Sequence, residues 1–391
     1  MKYGFNSLQL LFSFFITTTL IAQDFKALKY RTVGPERGGR VTTVTGTPML
    51  PGTFYLGASG AGVWKSEDYG TSWNNVSDGF FETPSIGAIE VAINDPNIVY
   101  VGTGSDGLRS NVISGKGVYK SIDAGKTWEH IGLRNVGQIG AVEIDPTNNN
   151  IVWVAAIGNA FKANEERGIY KTTDGGKTWK TILSVNNTTG ASSLSMDMTN
   201  PRILYASMWQ HRRYPWTMES GGEGSGLYKS SDGGDTWENW TGSVNAYTKN
   251  LVIQPSSTVE DLVYLFTTAR KGEQSKIYYK KASGSKWELF TNNYPGNFNV
   301  NAAIPFFRDA KIRLTGGGGV WESPLQEQNF KPIVNPWVEN YQNRCMTDTI
   351  HFDDHSILKH AGASWKWDMS PAPAYISNAT SRNPKVVLGN P

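Results

Sequence analysis

The chain has 391 residues, 12% of them aromatic, with 42 glycines, 14 tryptophans and a formal charge of +3. So small and evenly spread a charge excludes a nucleic-acid binder, and the apolar content excludes a chain disordered over most of its length. The single cysteine, Cys345, leaves no internal disulfide, so stability has to come from core burial.

From the N-terminus, Lys2 precedes the apolar run Leu10–Ile21 and the small Ala22, the pattern of a signal peptide over residues 1–22. That run is short for a bilayer span and no later segment is longer, which predicts an exported chain with no transmembrane segment. Phe25–Val33 reads as a spare strand, placed to complete the last repeat and close a ring. Four segments then align: GVWKSEDYGTSW, GVYKSIDAGKTW, GIYKTTDGGKTW and GLYKSSDGGDTW, ending at Trp73, Trp128, Trp179 and Trp237. Their aspartates Asp68, Asp123, Asp174 and Asp232 recur at roughly 50 to 60 residues, the length of a propeller blade. Upstream of each box lies a strand such as Ile98–Thr103, and before that one such as Ile86–Ile93. The link between the two often carries Asp-Pro or Asn-Pro, where proline ends a ladder.

Two weaker copies follow at Lys276–Trp287 and Asn299–Ser323, the second without a fourth strand. The expected fold is all-β: a propeller of about six blades over residues 24–325, a linker over 326–344, and a partial sandwich over 345–391. Ile350, Phe352, Asp354, Ser356, Trp365, Trp367, Asp368 and Arg382-Asn383-Pro384 give the tail a resemblance to the start of a polycystic-kidney-disease (PKD) repeat. Such a domain ends with two further strands, so a truncated chain is expected.

The four boxes resemble the Asp-box, or bacterial neuraminidase, repeat superfamily. Within it, Asn164–Trp179, Gln210–Trp216 and the tail resemble bacterial exported sortilin-like propeller proteins. The resemblance implies that the box residues are structural: Asp68, Gly70, Trp73, Asp123, Gly125, Trp128, Asp174, Gly176, Trp179, Asp232, Gly234 and Trp237. It fixes fold and leaves function open, because sialidases, xyloglucan hydrolases, sortilin receptors and photosystem assembly factors share the box. Sortilin-type propellers have about ten blades and a cysteine-rich region, neither of which this sequence carries. Tyr30-Arg31-Thr32-Val33 matches the opening motif of sialidases only in its first two residues.

The functional residues are expected on long second-to-third-strand connections, Gly104–Gly117, Ile157–Gly168 and Met208–Gly226, on one face of three adjacent blades. Arg37, Arg40, Arg109, Glu165, Arg167, Trp209, His211, Arg212, Arg213, Tyr214 and Trp216 are the expected ligand-binding residues, since aromatics with arginine suit binding hot spots and sugar platforms. Glu36 and Glu219 belong to the same sector. The competing reading makes Trp209 and Tyr214 channel plugs and Glu165 with Arg167 a solvated pair. The five histidines are scattered and no metal, cofactor or phosphate loop is expected; Asp353-Asp354 reads as solvated acid. The leading expectation is a monomeric secreted or cell-surface module that binds protein or glycan without covalent chemistry. The alternative is a sialidase- or xyloglucanase-like glycoside hydrolase using Asp106 with Glu165 or Glu166, since hydrolysis needs two carboxylates across a cleft. An assembly factor is a third class.

Overall fold

A computed structural model describes residues 40–108, 111–198, 200–242 and, with breaks, 247–388. All of them fall in the compact unit Val33–Pro391. The signal-peptide segment, the Phe25–Val33 strand, Glu36, Arg37, Arg109, Cys345, His355 and His360 lie outside the described residues.

The described residues form strands and no α-helix, and none of them makes a helix long and apolar enough to cross a membrane. They make antiparallel sheets in chain order. Sheet 1 comprises Arg40–Gly46, Phe54–Ser59, Gly62–Ser66 and Asn74–Asn75. Sheet 2 comprises Ile86–Val91, Val99–Thr103, Val118–Ser121 and Glu129–His130. Sheet 3 comprises Gln138–Ile144, Val152–Gly158, Gly168–Thr172 and Lys180–Leu183. Sheet 4 comprises Thr189–Met196, Leu204–Arg213, Gly226–Ser230 and Glu238–Asn239, with Met218–Ser220 added to its second strand. Sheet 5 comprises Tyr247–Gln254, Leu262–Thr268, Ile277–Lys281 and Glu288–Leu289. Sheet 6 has three strands, Val300–Phe306, Lys311–Gly316 and Gly319–Pro324.

Each first strand packs beside the first strand of the next sheet, from sheet 1 through sheet 6, the arrangement of propeller blades about an axis. The faces between sheets are apolar. Tyr55 and Val63 of sheet 1 cluster with Ile86, Ile89, Val91, Val99 and Val101 of sheet 2. No contact of that extent joins sheet 6 to sheet 1 among the described residues. Val44 of sheet 1 and Ile304 and Val320 of sheet 6 stay exposed there.

The box turns explain themselves locally. In the first, Asp68 Oδ1 accepts from the Ser72 N–H (2.8 Å) and the Ser66 hydroxyl (2.9 Å), while Ser66 Oγ accepts from the Gly70 N–H (2.8 Å). The same set recurs around Asp123, Asp174 and Asp232. These donors favour the ionised form: Asp68 is lowered to about 2, first by the Ser72 N–H, and Asp123 to about 2, first by the Thr127 hydroxyl. Two of the box tryptophans stitch sheets together, while Trp237 Nε1 donates within its own turn to Gly234 O (3.1 Å). Trp128 Nε1 donates to Val76 O (2.8 Å) and Trp179 Nε1 to Ile131 O (2.8 Å), each in the preceding sheet. Trp73 Nε1, at the box turn of sheet 1, is buried with no acceptor among the described residues.

A second repeated device is a one-residue bulge in every first strand, at Thr42, Gly87, Gly140, Ser192 and their counterparts in sheets 5 and 6. A Cβ on Gly87 would lie 2.0 Å from Ile139 O of sheet 3, and one on Gly140 2.4 Å from Ser192 O of sheet 4. Glycine at these bulges lets neighbouring first strands approach closely. Thr42 uses its hydroxyl instead, donating across to Ile86 O (2.7 Å).

The tail forms its own sheet, ordered Pro336–Val338, Ile350–Asp354, Lys385–Val387, Tyr375–Ile376. The first of these strands lies inside the stretch expected to be linker, because Pro336–Val338 pairs with Phe352–Asp354. Asp354 accepts from Trp365 Nε1 (2.8 Å) and the Ser356 N–H (3.1 Å), and Arg382 pairs with Asp353 (3.3 Å). The two aspartates expected to be solvated are thus tied into the sheet.

Candidate functional site

The second-to-third-strand connections of sheets 2, 3 and 4 join into one rim. Arg40 donates to Asn111 Oδ1 (3.3 Å), tying the start of sheet 1 to the sheet 2 connection. Gly104 and Gly115 pack directly on the Gly137–Gln138 backbone at the start of sheet 3. The Asn164 N–H donates to Asn187 O (3.0 Å), and the Arg213 N–H to Ala160 O (2.7 Å), so sheets 3 and 4 interlock.

The third connection differs from the expected loop. Leu204–Arg213 runs ten residues and folds back through Met218–Ser220 as a hairpin, with His211 opposite Ser220 and Arg213 opposite Met218. Strand alternation sorts its side chains. Trp209, His211 and Arg213 share one side; Gln210 and Arg212 share the other.

Arg167 and His211, expected to meet ligand, are buried at 1% exposure each and brace the rim instead. Arg167 donates to the carbonyls of Ile157 (3.1 Å), Lys162 (3.2 Å) and Thr188 (3.1 Å), to Asn159 O, and to Asn164 Oδ1 (3.0 Å). Burial lowers its pKa to about 10, so it remains cationic at neutral pH. Its guanidinium also approaches both ring nitrogens of His211 (3.2 and 3.3 Å). Arginine only donates, so His211 has to be neutral and accept there; its Nδ1–H then donates to Trp209 O (3.1 Å), leaving Nε2 for Arg167. Burial first, and the Arg167 charge second, lower the His211 pKa to about 4. The correction is physical: a ligand reaches neither group, and both fix the shape of what a ligand meets.

The remaining expected residues that are described are accessible. Arg40 and Glu165 and Glu166 are exposed, and Asp106 is half-buried. Glu165 accepts from Asn187 Nδ2 (3.2 Å) and Glu166 from Asn164 Nδ2 (3.3 Å), which orients both carboxylates on the sheet 3 connection. Trp209, Arg212, Arg213 and Tyr214 are half-buried, and Trp216 is 80% exposed. Among the described residues no cluster of three or more His, Cys, Asp or Glu is arranged to hold a metal ion.

Two acids escaped the sequence reading. Glu90 and Glu143 occupy the same position on the first strands of sheets 2 and 3, opposite Tyr100 and Trp153, where sheets 1 and 4 carry Thr45 and Ser195. Each keeps an opening to solvent yet is hemmed in by protein. Burial pushes Glu90 up to about 7; burial, then the neighbouring Glu90 charge, raises Glu143 well above the carboxylate range. Both lie near the box-turn ends of their strands, away from the rim. Aligning the repeats would have flagged them, since glutamate replaces small hydroxyl residues there.

The Sortilin-Vps10 family model (sortilin, neurotensin receptor 3) matches residues 61–212. A probable oligoxyloglucan-reducing end-specific xyloglucanase of Neosartorya fischeri is 26% identical over 59% of this chain and 27% of its own length. A xyloglucanase of Hypocrea jecorina is 25% identical over 83% of this chain and 44% of its own length. The chain thus spans less than half of these curated relatives. The solved structure of an ancestral GH74 enzyme matches with TM-score 0.55 and 19% identity, covering 75% of this chain and 37% of that one, and shares the β-propeller fold. The expectation of a binding module without covalent chemistry is overturned by these matches: the chain is similar to xyloglucan-degrading enzymes.

Proposed function

We propose that the protein is a glycoside hydrolase acting on an extracellular β-glucan of the xyloglucan type, with its substrate face on the rim of sheets 2 to 4. The observation that carries this is the similarity to xyloglucanases over 83% of the chain. The rim supplies oriented carboxylates, Glu165 and Glu166, with Asp106 on the adjoining connection, and glycoside hydrolysis needs one acid and one base or nucleophile. Arg40, Arg212, Arg213 and the aromatics Trp209, Tyr214 and Trp216 supply hydroxyl partners and stacking surfaces around them; Arg37 and Arg109, expected in the same set, lie outside the described residues.

Six Asp-box blades over residues 24–325, a PKD-like sandwich over 345–391, export through residues 1–22 and a monomeric state complete this reading. Export places the protein with an extracellular polysaccharide. The test is reducing-end release from xyloglucan by the full chain beside Asp106→Asn, Glu165→Gln and Glu166→Gln. Two of the three variants should lose at least about a hundredfold in kcat, the scale of removing an acid or base catalyst. Full activity in all three would place the chemistry elsewhere.

A further inference from the structure

The hairpin on sheet 4 has two unlike sides. One is fastened: His211 is buried on Arg167, the Trp209 ring stacks on it (4.6 Å), and Trp209 Nε1 donates to Ser220 Oγ (3.2 Å). The other carries a column. The Arg212 guanidinium lies over the Tyr214 ring (4.6 Å), and the Tyr214 and Trp216 rings lie near parallel, 27° apart with centroids 5.7 Å apart. Trp216 ends the column at 80% exposure. Arg212 Nε is buried and has no acceptor among the described residues.

An indole left in water forgoes the free energy of burying its apolar surface. Here the indole is exposed and also held in a set orientation by its stacked neighbour, the pre-organisation a binding surface needs. Its surroundings choose the ligand. Pro215, Thr217 and Glu219 flank it, all exposed, and Met218 is 47% exposed, so polar and charged residues interrupt the apolar surface around the ring. A protein partner calls for about 800 Å² per side. A narrow aromatic face with arginine and glutamate beside it fits a pyranose instead: axial C–H groups meet the negative ring face, and equatorial hydroxyls reach the charged flanks.

We propose that the Arg212–Tyr214–Trp216 column is a non-catalytic platform that binds a linear polysaccharide of all-equatorial pyranose rings, one sugar face lying on Trp216. The platform rests on the hydrolase reading for its role in holding substrate, because the Arg213–Ala160 bond seats the hairpin on the connection that carries Glu165 and Glu166. Its binding chemistry stands without that reading.

Affinity electrophoresis of the full chain in gels containing xyloglucan or hydroxyethyl cellulose tests it, with thermal unfolding and reducing-end release measured on the same samples. Trp216→Ala should weaken binding at least tenfold with an unchanged melting temperature, since the side chain packs little. Tyr214→Phe should keep binding, and Tyr214→Ala should lose it. Wild-type retardation equal to that of Trp216→Ala, or no retardation of the wild type in either glucan, overturns the platform. Tryptophan-dependent binding without released reducing ends upholds the platform and removes the hydrolase. Released ends with tryptophan-independent binding do the reverse.

Discussion

Arg167 and His211 show how a residue's type is legible in sequence while its role is not. Both were singled out as binding residues, and both sit on the functional rim, but as its frame. Sequence gives an arginine next to Gly168 and a histidine in an aromatic stretch; it does not reveal that five backbone and amide oxygens converge on one guanidinium. The arrangement has a pH signature. The folded protein holds His211 neutral down to about 4, whereas the unfolded chain protonates it from 6.5 downward. The unfolded state therefore binds more protons in that window, and stability is lost as pH falls through it, on the order of 3 kcal/mol in full. Urea unfolding across the window should show this slope in the wild type. His211→Gln, which keeps an acceptor for Arg167 and cannot titrate, should flatten it; identical slopes would contradict the neutral, accepting histidine.

Among the elements, the repeats were the most legible feature. The box fixes where the third strand ends, where the turn lies and which tryptophan reaches the preceding sheet. Periodicity of this kind survives in sequence because each copy obeys the same local hydrogen-bonding constraint. The bulges were not legible, because the residue type varies among Thr42, Gly87, Gly140 and Ser192; what all four share is a position where two backbones nearly touch. Gly87→Ala puts a methyl group on Ile139 O, and the neighbour is backbone that cannot swing aside. That substitution should cost about 2 to 3 kcal/mol in chemical denaturation, the scale of overpacking a closed interior. A cost below about 0.5 kcal/mol would mean that the first strands are free to separate. The hairpin was missed for a different reason: Trp209 to Tyr214 alternates between two large-residue faces, and length alone suggested a loop.

At the scale of the molecule, the all-β class and the propeller arrangement were readable from the period, while the function was misread. The box is common to enzymes and binders, and a fold signal carries no vote between them. The acids near the axis add a molecule-wide property. Glu90, and Glu143 beside it, are raised in the folded state, so their contribution is present below about 4.5 and is lost as pH rises, for Glu90 through about 7. Glu90→Gln should therefore stabilise the protein near pH 8 by on the order of 3 kcal/mol and leave it unchanged near pH 4. A variant less stable than wild type at both pH values would show that the carboxylate is ionised and bound. The His211 and Glu90 windows overlap between about 4.5 and 6.5 with opposite slopes, so the two contributions offset each other there.

The central claim is hydrolysis, and product analysis on xyloglucan tests it most directly. Incubation of the full chain with the polysaccharide, followed by mass spectrometry of the soluble fraction, should yield xylogluco-oligosaccharides that grow with time and enzyme concentration. Intact polysaccharide after prolonged incubation with folded protein would contradict the claim.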